Sequence, residues 1–119
     1  MSTTGIGAVF LETHNWGKAA RFFTDLGFTL DFETDHNSGQ LRNGDGPSVF
    51  IAEIPADRPA GAQIVLTVAN EAAFRPGPCV EVVSEWADTH YGSREMIVRD
   101  PDGRLWTLQA RAQARGEGL

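Results

Sequence analysis

Glu12 is a carboxylate inside an apolar, strand-like run, and its type and position give it the clearest chemical potential in the chain. The run covers residues 6–13, and alternation places Glu12 on the same face as Phe10. A carboxylate in such a place costs free energy unless it is hydrated or paired. Arg42 or Arg94 could neutralise it. Alternatively, Glu12 binds a cationic or hydrogen-bonding ligand, or acts as a general base.

The histidines and the cysteine are the other side chains that could bind a metal or act as nucleophiles. His14, His36 and His90 do not fall at a spacing that places two of them on one helix face or one strand pair. They therefore predict no metal site of their own. Cys79 is the single cysteine, which rules out an internal disulfide and is typical of a reducing compartment.

An acidic turn stands near the end of the chain, where residues 99–106 read RDPDGRLW. Asp, Pro, Asp and Gly suit the four successive positions of a type I turn, and β-favouring residues flank them on both sides. The stretch predicts a hairpin. We expect Asp100 and Asp102 to bond nearby backbone rather than a ligand.

The elements that must position these residues form two similar halves. In the first half, Asn15 suits a helix N-cap and Gly27 a left-handed C-cap. Alternation in residues 29–34 places Leu30 and Phe32 on one face. The predicted order is strand, helix and three strands: residues 6–13, 16–26, 29–34, 40–42 and 48–54.

The second half repeats this order with a shortened helix. A helix starting at Glu71 is stopped after about one turn by the sequence Arg75-Pro76-Gly77-Pro78, because proline cannot continue a helix interior. The predicted strands are residues 63–69, 79–85, 93–99 and 105–110. We therefore predict a single domain of 119 residues. It comprises module one (about 5–55), a linker (56–62), module two (about 63–110) and a frayed tail (111–119).

Composition excludes several classes of partner. Ten basic against 16 acidic residues give a net charge of −6, which argues against nucleic acid, whose binding proteins carry a basic face. No apolar run reaches transmembrane length, and the N-terminus lacks a signal-peptide pattern. These features predict a cytoplasmic protein with neither a nucleic-acid nor a membrane partner.

Two stretches carry a resemblance to a known family. ARFFTDLGF at the end of the first helix and YGSREMIVRDPDGRLWTLQ near the C-terminus resemble the vicinal oxygen chelate superfamily. This is the group of glyoxalases, bleomycin-resistance proteins and ring-cleaving dioxygenases. The resemblance implies an α+β fold in which curled mixed sheets of two βαβββ modules form a cup. It also implies a homodimer.

Enzymes of this superfamily bind a divalent metal at the base of the cup. Carried over by position, the four ligand places fall at Ala8, near Glu53, at Gln63 and at Thr107. Alanine cannot coordinate a metal, and threonine stands where these enzymes carry glutamate. These departures from the superfamily's ligand pattern predict no metal and no other cofactor for this chain.

Alternation instead predicts a partly apolar ligand pocket on the cup side of the strands. Trp86, His90 and Tyr91, in the loop before the seventh strand, would border its mouth. The predicted ligand-binding residues are Phe10, Glu12, Gln63, Val65, Thr67, Trp86, His90, Tyr91, Leu105, Thr107 and Gln109.

Three functions remain open. The first is a metal-free protein of the bleomycin-resistance type that sequesters a planar or cationic drug or natural product. The second is a glyoxalase-like or dioxygenase-like enzyme (a lyase, isomerase or oxygenase) with an atypical metal set drawn from Glu12, Glu53, Gln63 and a histidine. The third is a dimeric scaffold with a dry, filled cup.

Overall fold

The computed structural model describes residues 3–89 and 92–111, and it falls into two compact units. The first unit is Ile6–Ile64, and the second comprises Met1–Gly5 together with the chain from Val65 onward. The elements are β1 (Ile6–Thr13), α1 (Trp16–Asp25), β2 (Thr29–Glu33), β3 (Ser38–Arg42), β4 (Ser48–Glu53), β5 (Ala62–Thr67), the 3₁₀ turn η1 (Glu71–Ala73), β6 (Glu81–Asp88), β7 (Ser93–Arg99) and β8 (Leu105–Arg111).

Eight strands accompany one α-helix in the described part of the chain, which confirms the predicted α+β class. In the first unit the strand order is β2-β3-β4-β1. β1 and β4 are parallel, while β3 is antiparallel to both of its neighbours. A further hydrogen bond of 2.9 Å runs from the Glu12 N–H to the Gly61 carbonyl just before β5.

Helix α1 covers the sheet of the first unit. The Asn15 side chain accepts from the Lys18 N–H, and Gly27 has a φ of 101°, as the predicted caps require. Its apolar side packs against Leu41, Val49 and Ile51, and Trp16 belongs to the same buried cluster. Among the described residues, no helix is long and apolar enough to cross a bilayer.

The Trp16 indole lies directly on the backbone of β3. A Cβ added to Gly39 would lie 2.6 Å from the Trp16 ring and 2.7 Å from the Phe32 carbonyl, so the packing admits only glycine there. The indole N–H donates to Glu33 at 2.6 Å, and the Trp16 backbone N–H donates to Glu53 at 2.8 Å. These bonds satisfy the polar groups that the buried tryptophan brings with it.

In the second unit the predicted shortening of the helix is confirmed. Its strand order is β5-β8-β7-β6, and η1 takes the place of a full helix between β5 and β6. The Asn70 side chain caps η1 by accepting from the Ala72 N–H at 3.0 Å. The core of this unit consists of Val68, Phe74, Met96, Leu108 and Ala110.

A threonine–serine pair closes one hairpin in each unit, which shows that the two units are structural repeats. In the β2–β3 hairpin, the Thr34 and Ser38 hydroxyls are 2.6 Å apart; in the β6–β7 hairpin, those of Thr89 and Ser93 are 3.0 Å apart. Each serine is preceded by a residue with positive φ, Asn37 at 58° or Gly92 at 89°. The equivalent residues are separated by 55 positions, as are the capping residues Asn15 and Asn70.

The acidic turn forms between β7 and β8, and backbone bonding is confirmed for Asp100, while Asp102 accepts from the Arg104 side chain instead. The Asp100 carboxylate accepts from the backbone N–H groups of Asp102 and Arg104, both at 2.9 Å. It also accepts from the Arg104 side chain at 2.9 Å and from the Trp106 indole at 3.0 Å. The indole bond, followed by the Arg104 bond, holds the pKa of Asp100 well below its usual range.

Two details of the strands differ from the prediction. The ladder between β2 and β3 pairs Leu30 with Leu41 but Phe32 with Gln40, with a register shift between them. Leu30 and Phe32 therefore face opposite sides, and the prediction that they share a face is wrong, because alternation fails across a bulge. β6 also continues to Asp88, so Trp86 lies in a strand and not in a loop. The predicted tail beyond Arg111 lies outside the described residues.

Candidate functional site

Three phenylalanines and a glutamine form a row across one face of the first unit. Phe10 on β1 pairs with Phe50 on β4, Phe50 pairs with Gln40 on β3, and Gln40 pairs with Phe32 on β2. Cross-strand partners in a sheet point to the same side. We define these four residues, Phe10, Phe32, Gln40 and Phe50, as the aromatic face.

The aromatic face lies opposite the core of its unit, because alternate residues of a strand point to opposite sides. Val49 and Ile51, the strand neighbours of Phe50, belong to the cluster beneath α1. The rings of Phe10 and Phe50 are 5.9 Å apart with an interplanar angle of 11°. Those of Phe32 and Phe50 are 6.2 Å apart at 51°, and Phe32 is 47 % exposed. The first unit thus presents an ordered aromatic surface.

A polar group next to the aromatic face arises from the irregularity in β2. Asp31, at the register shift, accepts through Oδ2 from Gln40 Nε2 at 3.1 Å and from Arg42 Nε at 3.2 Å. The bond from Gln40 fixes the orientation of its amide. The bond from Arg42 makes a neutral ion pair, and Arg42 Nη1 also reaches the Gly46 carbonyl at 3.5 Å.

Glu12 lies two residues beyond Phe10 on β1, on the same face. Its Oε1 accepts from the Gly61 N–H at 3.1 Å. Neither arginine proposed as its partner binds it: Arg42 pairs with Asp31, and Arg94 pairs with acidic residues of the second unit. The backbone at Gly61 therefore orients this carboxylate without neutralising its charge.

The residues at the superfamily's metal positions do not fit a divalent ion. Ala8 has no donor atom. Glu53 pairs in register with Thr13, on the side of β4 that faces α1, and its Oε1 accepts from the Trp16 N–H at 2.8 Å. Gln63 is half-buried in the first unit, and Thr107 is buried in the second. In the described part of the chain, no group of three or more His, Cys, Asp or Glu side chains could hold a metal ion.

The predicted binding residues of the second unit lie mainly on β8. Leu105, Thr107 and Gln109 alternate with Leu108 and its core neighbours, so they share the face opposite the core. Leu105 is 42 % exposed, whereas Thr107 is 5 % exposed. Gln109 Nε2 donates to Glu95 Oε2 at 3.0 Å, and the two residues are partners across β7 and β8.

The remaining predicted residues have different surroundings. On β5, Val65 is buried and Thr67 is exposed, with its N–H donating to the Gly5 carbonyl at 2.9 Å. Trp86 packs on the second core, and its ring meets that of Phe74 edge-on, 6.2 Å away. His90 and Tyr91 lie outside the described residues.

Sequence reasoning missed most of the aromatic face. Phe50 could have been found by applying to β4 the alternation used for β1, since Val49 and Ile51 are as apolar as Val9 and Leu11. Phe32 was placed on the same face as Leu30 because the bulge at Asp31 has no clear local sequence signal. Alternation within one strand could not have predicted that Gln40 joins the aromatic face, because its position depends on the pairing of β3 with both β2 and β4.

Comparison with solved structures identifies proteins with the same fold as this chain. No family model and no curated protein matches the chain. Among solved structures, a glyoxalase/bleomycin resistance protein/dioxygenase superfamily member from Vibrio splendidus 12B01 matches with a TM-score of 0.60 and 22 % identity. The match covers 87 % of this chain and 96 % of that one. The chain has the fold of the glyoxalase/bleomycin resistance/dioxygenase superfamily.

Two larger proteins also match at a TM-score of 0.64 each. The Mn(II)-bound glyoxalase from Novosphingobium aromaticivorans is 20 % identical, with 98 % of this chain and 44 % of that chain covered. The 2,2′,3-trihydroxybiphenyl 1,2-dioxygenase from Sphingomonas wittichii strain RW1 is 18 % identical, with 94 % and 42 % covered. The chain spans less than half the length of these two proteins. At these identities the likeness establishes the superfamily fold and not an activity.

Proposed function

We propose that this chain binds a small planar organic molecule on its aromatic face, without a metal, as a sequestering protein of the bleomycin-resistance type. The observation that carries the proposal is the row of Phe10, Phe50 and Phe32 rings on the side of the sheet opposite the α1 core. Gln40 lies within the row and offers a hydrogen-bonding group held in place by Asp31.

The energetics of an aromatic surface support a planar ligand. Stacking and edge contacts between aromatic rings stabilise by about 0.5–1.5 kcal/mol per pair beyond the area they bury. Phe32 retains 47 % of its exposure, so a ligand that covers it removes apolar surface from water. A flat molecule contacts several rings of the row together, while a branched aliphatic one contacts fewer.

A fluorescence titration with acridine tests the proposal. At mildly alkaline pH acridine is neutral and planar, so its affinity reports ring contact alone. We expect Phe32→Ala and Phe50→Ala each to weaken its binding by about fivefold to tenfold, the equivalent of about 1–1.4 kcal/mol. Phe32 is on an exposed strand, so its replacement leaves the core under α1 intact.

The matched control is Phe22→Ala, which removes a phenylalanine that is 59 % exposed on α1, outside the aromatic face. It should leave acridine affinity unchanged. Equal losses in all three variants, or no saturable binding by the wild type, would refute the proposed site. Circular dichroism of each variant checks that the fold is retained.

The metalloenzyme alternative is supported by the fold of the two larger neighbours. Its weakness is the residue set, since Ala8 offers no ligand atom and Glu53 binds the start of α1. The homodimer and the cytoplasmic location stay predictions, and analytical ultracentrifugation measures the first of them directly.

A further inference from the structure

We infer that the planar ligand is an organic cation, and that its positive group binds the carboxylate of Glu12. This inference rests on the proposed function, because it concerns the same site and adds the charge of the ligand.

Glu12 is placed within reach of a ligand that contacts Phe10. The two residues are separated by one position on β1, and residues so spaced are about 7 Å apart on one face of a strand. That distance is within the length of a molecule of three fused aromatic rings. The ring contact and the charge contact are therefore compatible in one small molecule.

The side chains beside Glu12 on the β4 side are small. Its partner on β4 is Ala52, and the partner of Ala52 on β3 is Ser38. The Ser38 hydroxyl is engaged with the Thr34 hydroxyl at 2.6 Å. This row holds no cation, so the charge of Glu12 is not neutralised by its cross-strand neighbours.

The Gly61 backbone orients the Glu12 carboxylate. The Gly61 N–H donates to Oε1 at 3.1 Å, which fixes the side chain with a neutral donor. Among residues 3–89 and 92–111, none of the ion pairs includes Glu12. A preoriented carboxylate without a cationic partner favours a positive ligand group, because little side-chain entropy remains to be lost on binding.

The other flank of the aromatic face does not counter this preference. There Arg42 is neutralised by Asp31 at 3.2 Å, so that flank contributes no net charge. The side chains in and beside the aromatic row thus sum to one negative charge, on a chain whose net charge is −6. The phenylalanine ring faces add to the preference, since an aromatic face attracts a cation.

Three acridines with one ring system and different charges test this inference. The probes are 9-aminoacridinium, acridine and acridine-9-carboxylate, measured by fluorescence titration at mildly alkaline pH and low salt. We expect the cation to bind tightest and the anion weakest. Glu12→Gln, which keeps an oxygen for the Gly61 N–H, should weaken the cation roughly fivefold and change neutral acridine less than twofold.

The control is Asp45→Asn, which removes the same charge from an exposed turn outside the aromatic face. It should leave all three affinities within about twofold of the wild type, as expected for an exposed charge that solvent and salt screen. If Asp45→Asn weakens the cation as much as Glu12→Gln does, the effect is that of total charge and the inference is overturned.

The remaining outcomes separate this inference from the proposed function. Neutral acridine that binds and depends on Phe32, together with a cation unaffected by Glu12→Gln, overturns the inference and leaves the planar site standing. If none of the three acridines binds, both fail. A cation that binds tightest and loses its advantage in Glu12→Gln supports both.

Discussion

The guanidinium of Arg94 binds the carboxylate of Glu71 through two hydrogen bonds, each of 2.9 Å. In the first unit, the residues 55 positions earlier are Trp16 and Gly39, whose contact is apolar and close. The two equivalent positions thus form a contact between an indole and a glycine backbone in the first unit. In the second unit they form an ion pair. The exchange accompanies the reduction of the helix to η1, because a short turn cannot carry the apolar side that α1 provides.

The first prediction concerns the Glu71–Arg94 pair. A double-mutant cycle with Glu71→Ala and Arg94→Ala should give a favourable coupling, because the bonds are bidentate and charge-assisted. The bonds from Arg94 also lower the pKa of Glu71, so the coupling should fall as acid protonates that carboxylate. Urea unfolding at several salt concentrations measures it. The Glu81–Arg99 pair, 3.8 Å apart and more exposed, is the control, and an equal coupling there would contradict the prediction.

The second prediction concerns Gly39. Replacing it with alanine forces a methyl group against the Trp16 ring and the Phe32 carbonyl, and should lower the free energy of unfolding by about 1–3 kcal/mol. Gly77→Ala is the control, since nothing lies within 4 Å of its added Cβ, and it should change stability by less than about 0.5 kcal/mol. Equal urea midpoints for the two variants would show that the Trp16 ring and the β2 backbone adjust to the added methyl group without loss of stability.

The third prediction concerns the acid sensitivity of the last hairpin. The lowered pKa of Asp100 means that its contribution to stability is present above the ordinary aspartate pKa. That contribution is lost as pH falls toward the lower folded value. Asp100→Asn should therefore reduce the melting temperature at neutral pH, and its difference from the wild type should shrink below about pH 4.

Asp102→Asn serves as the comparison for Asp100, because Asp102 is in the same turn but exposed, with one contact to the Arg104 side chain at 3.2 Å. It should reduce the melting temperature less than Asp100→Asn does. A gap between the wild type and Asp100→Asn that stays constant down to strong acid would show that the carboxylate charge does not stabilise the turn.

The fourth prediction concerns divalent metals. The residues at the superfamily's ligand positions include Ala8 and the helix-bound Glu53, so Mn²⁺ and Zn²⁺ should leave the melting temperature of chelator-treated protein unchanged. A saturable increase that EDTA reverses would show that the chain assembles a metal site from other residues. It would also move the metalloenzyme alternative ahead of the binding protein.

The elements that were predictable are those fixed by local chemistry. Asn15 and Gly27 limit α1 because a side-chain cap and a left-handed glycine act within one turn, and Asp100 organises its hairpin through bonds to residues two to six positions away. The short η1 followed from two prolines for the same reason.

The parts that escaped prediction depend on pairing between distant strands. Alternation gave the correct face for Phe10 and Glu12, but only the register of β1 with β4 brings Phe50 beside Phe10. An arginine was one of the partners considered for Glu12, and the structure instead gives it the N–H of Gly61, a contact that no side-chain pattern encodes. A hydrogen bond from a backbone N–H group cannot be predicted from the charges of the side chains alone.

The bulge at Asp31 has a consequence for transferring site residues between proteins of this fold. One additional residue in β2 separates Leu30, which faces α1, from Phe32, which lies in the aromatic face. If a relative without this bulge is aligned through β2 with no gap, residues on one side of Asp31 are matched with residues that point to the opposite face of the sheet. Homology-based assignment of ligand contacts should therefore be anchored separately on Leu30 and on Phe32.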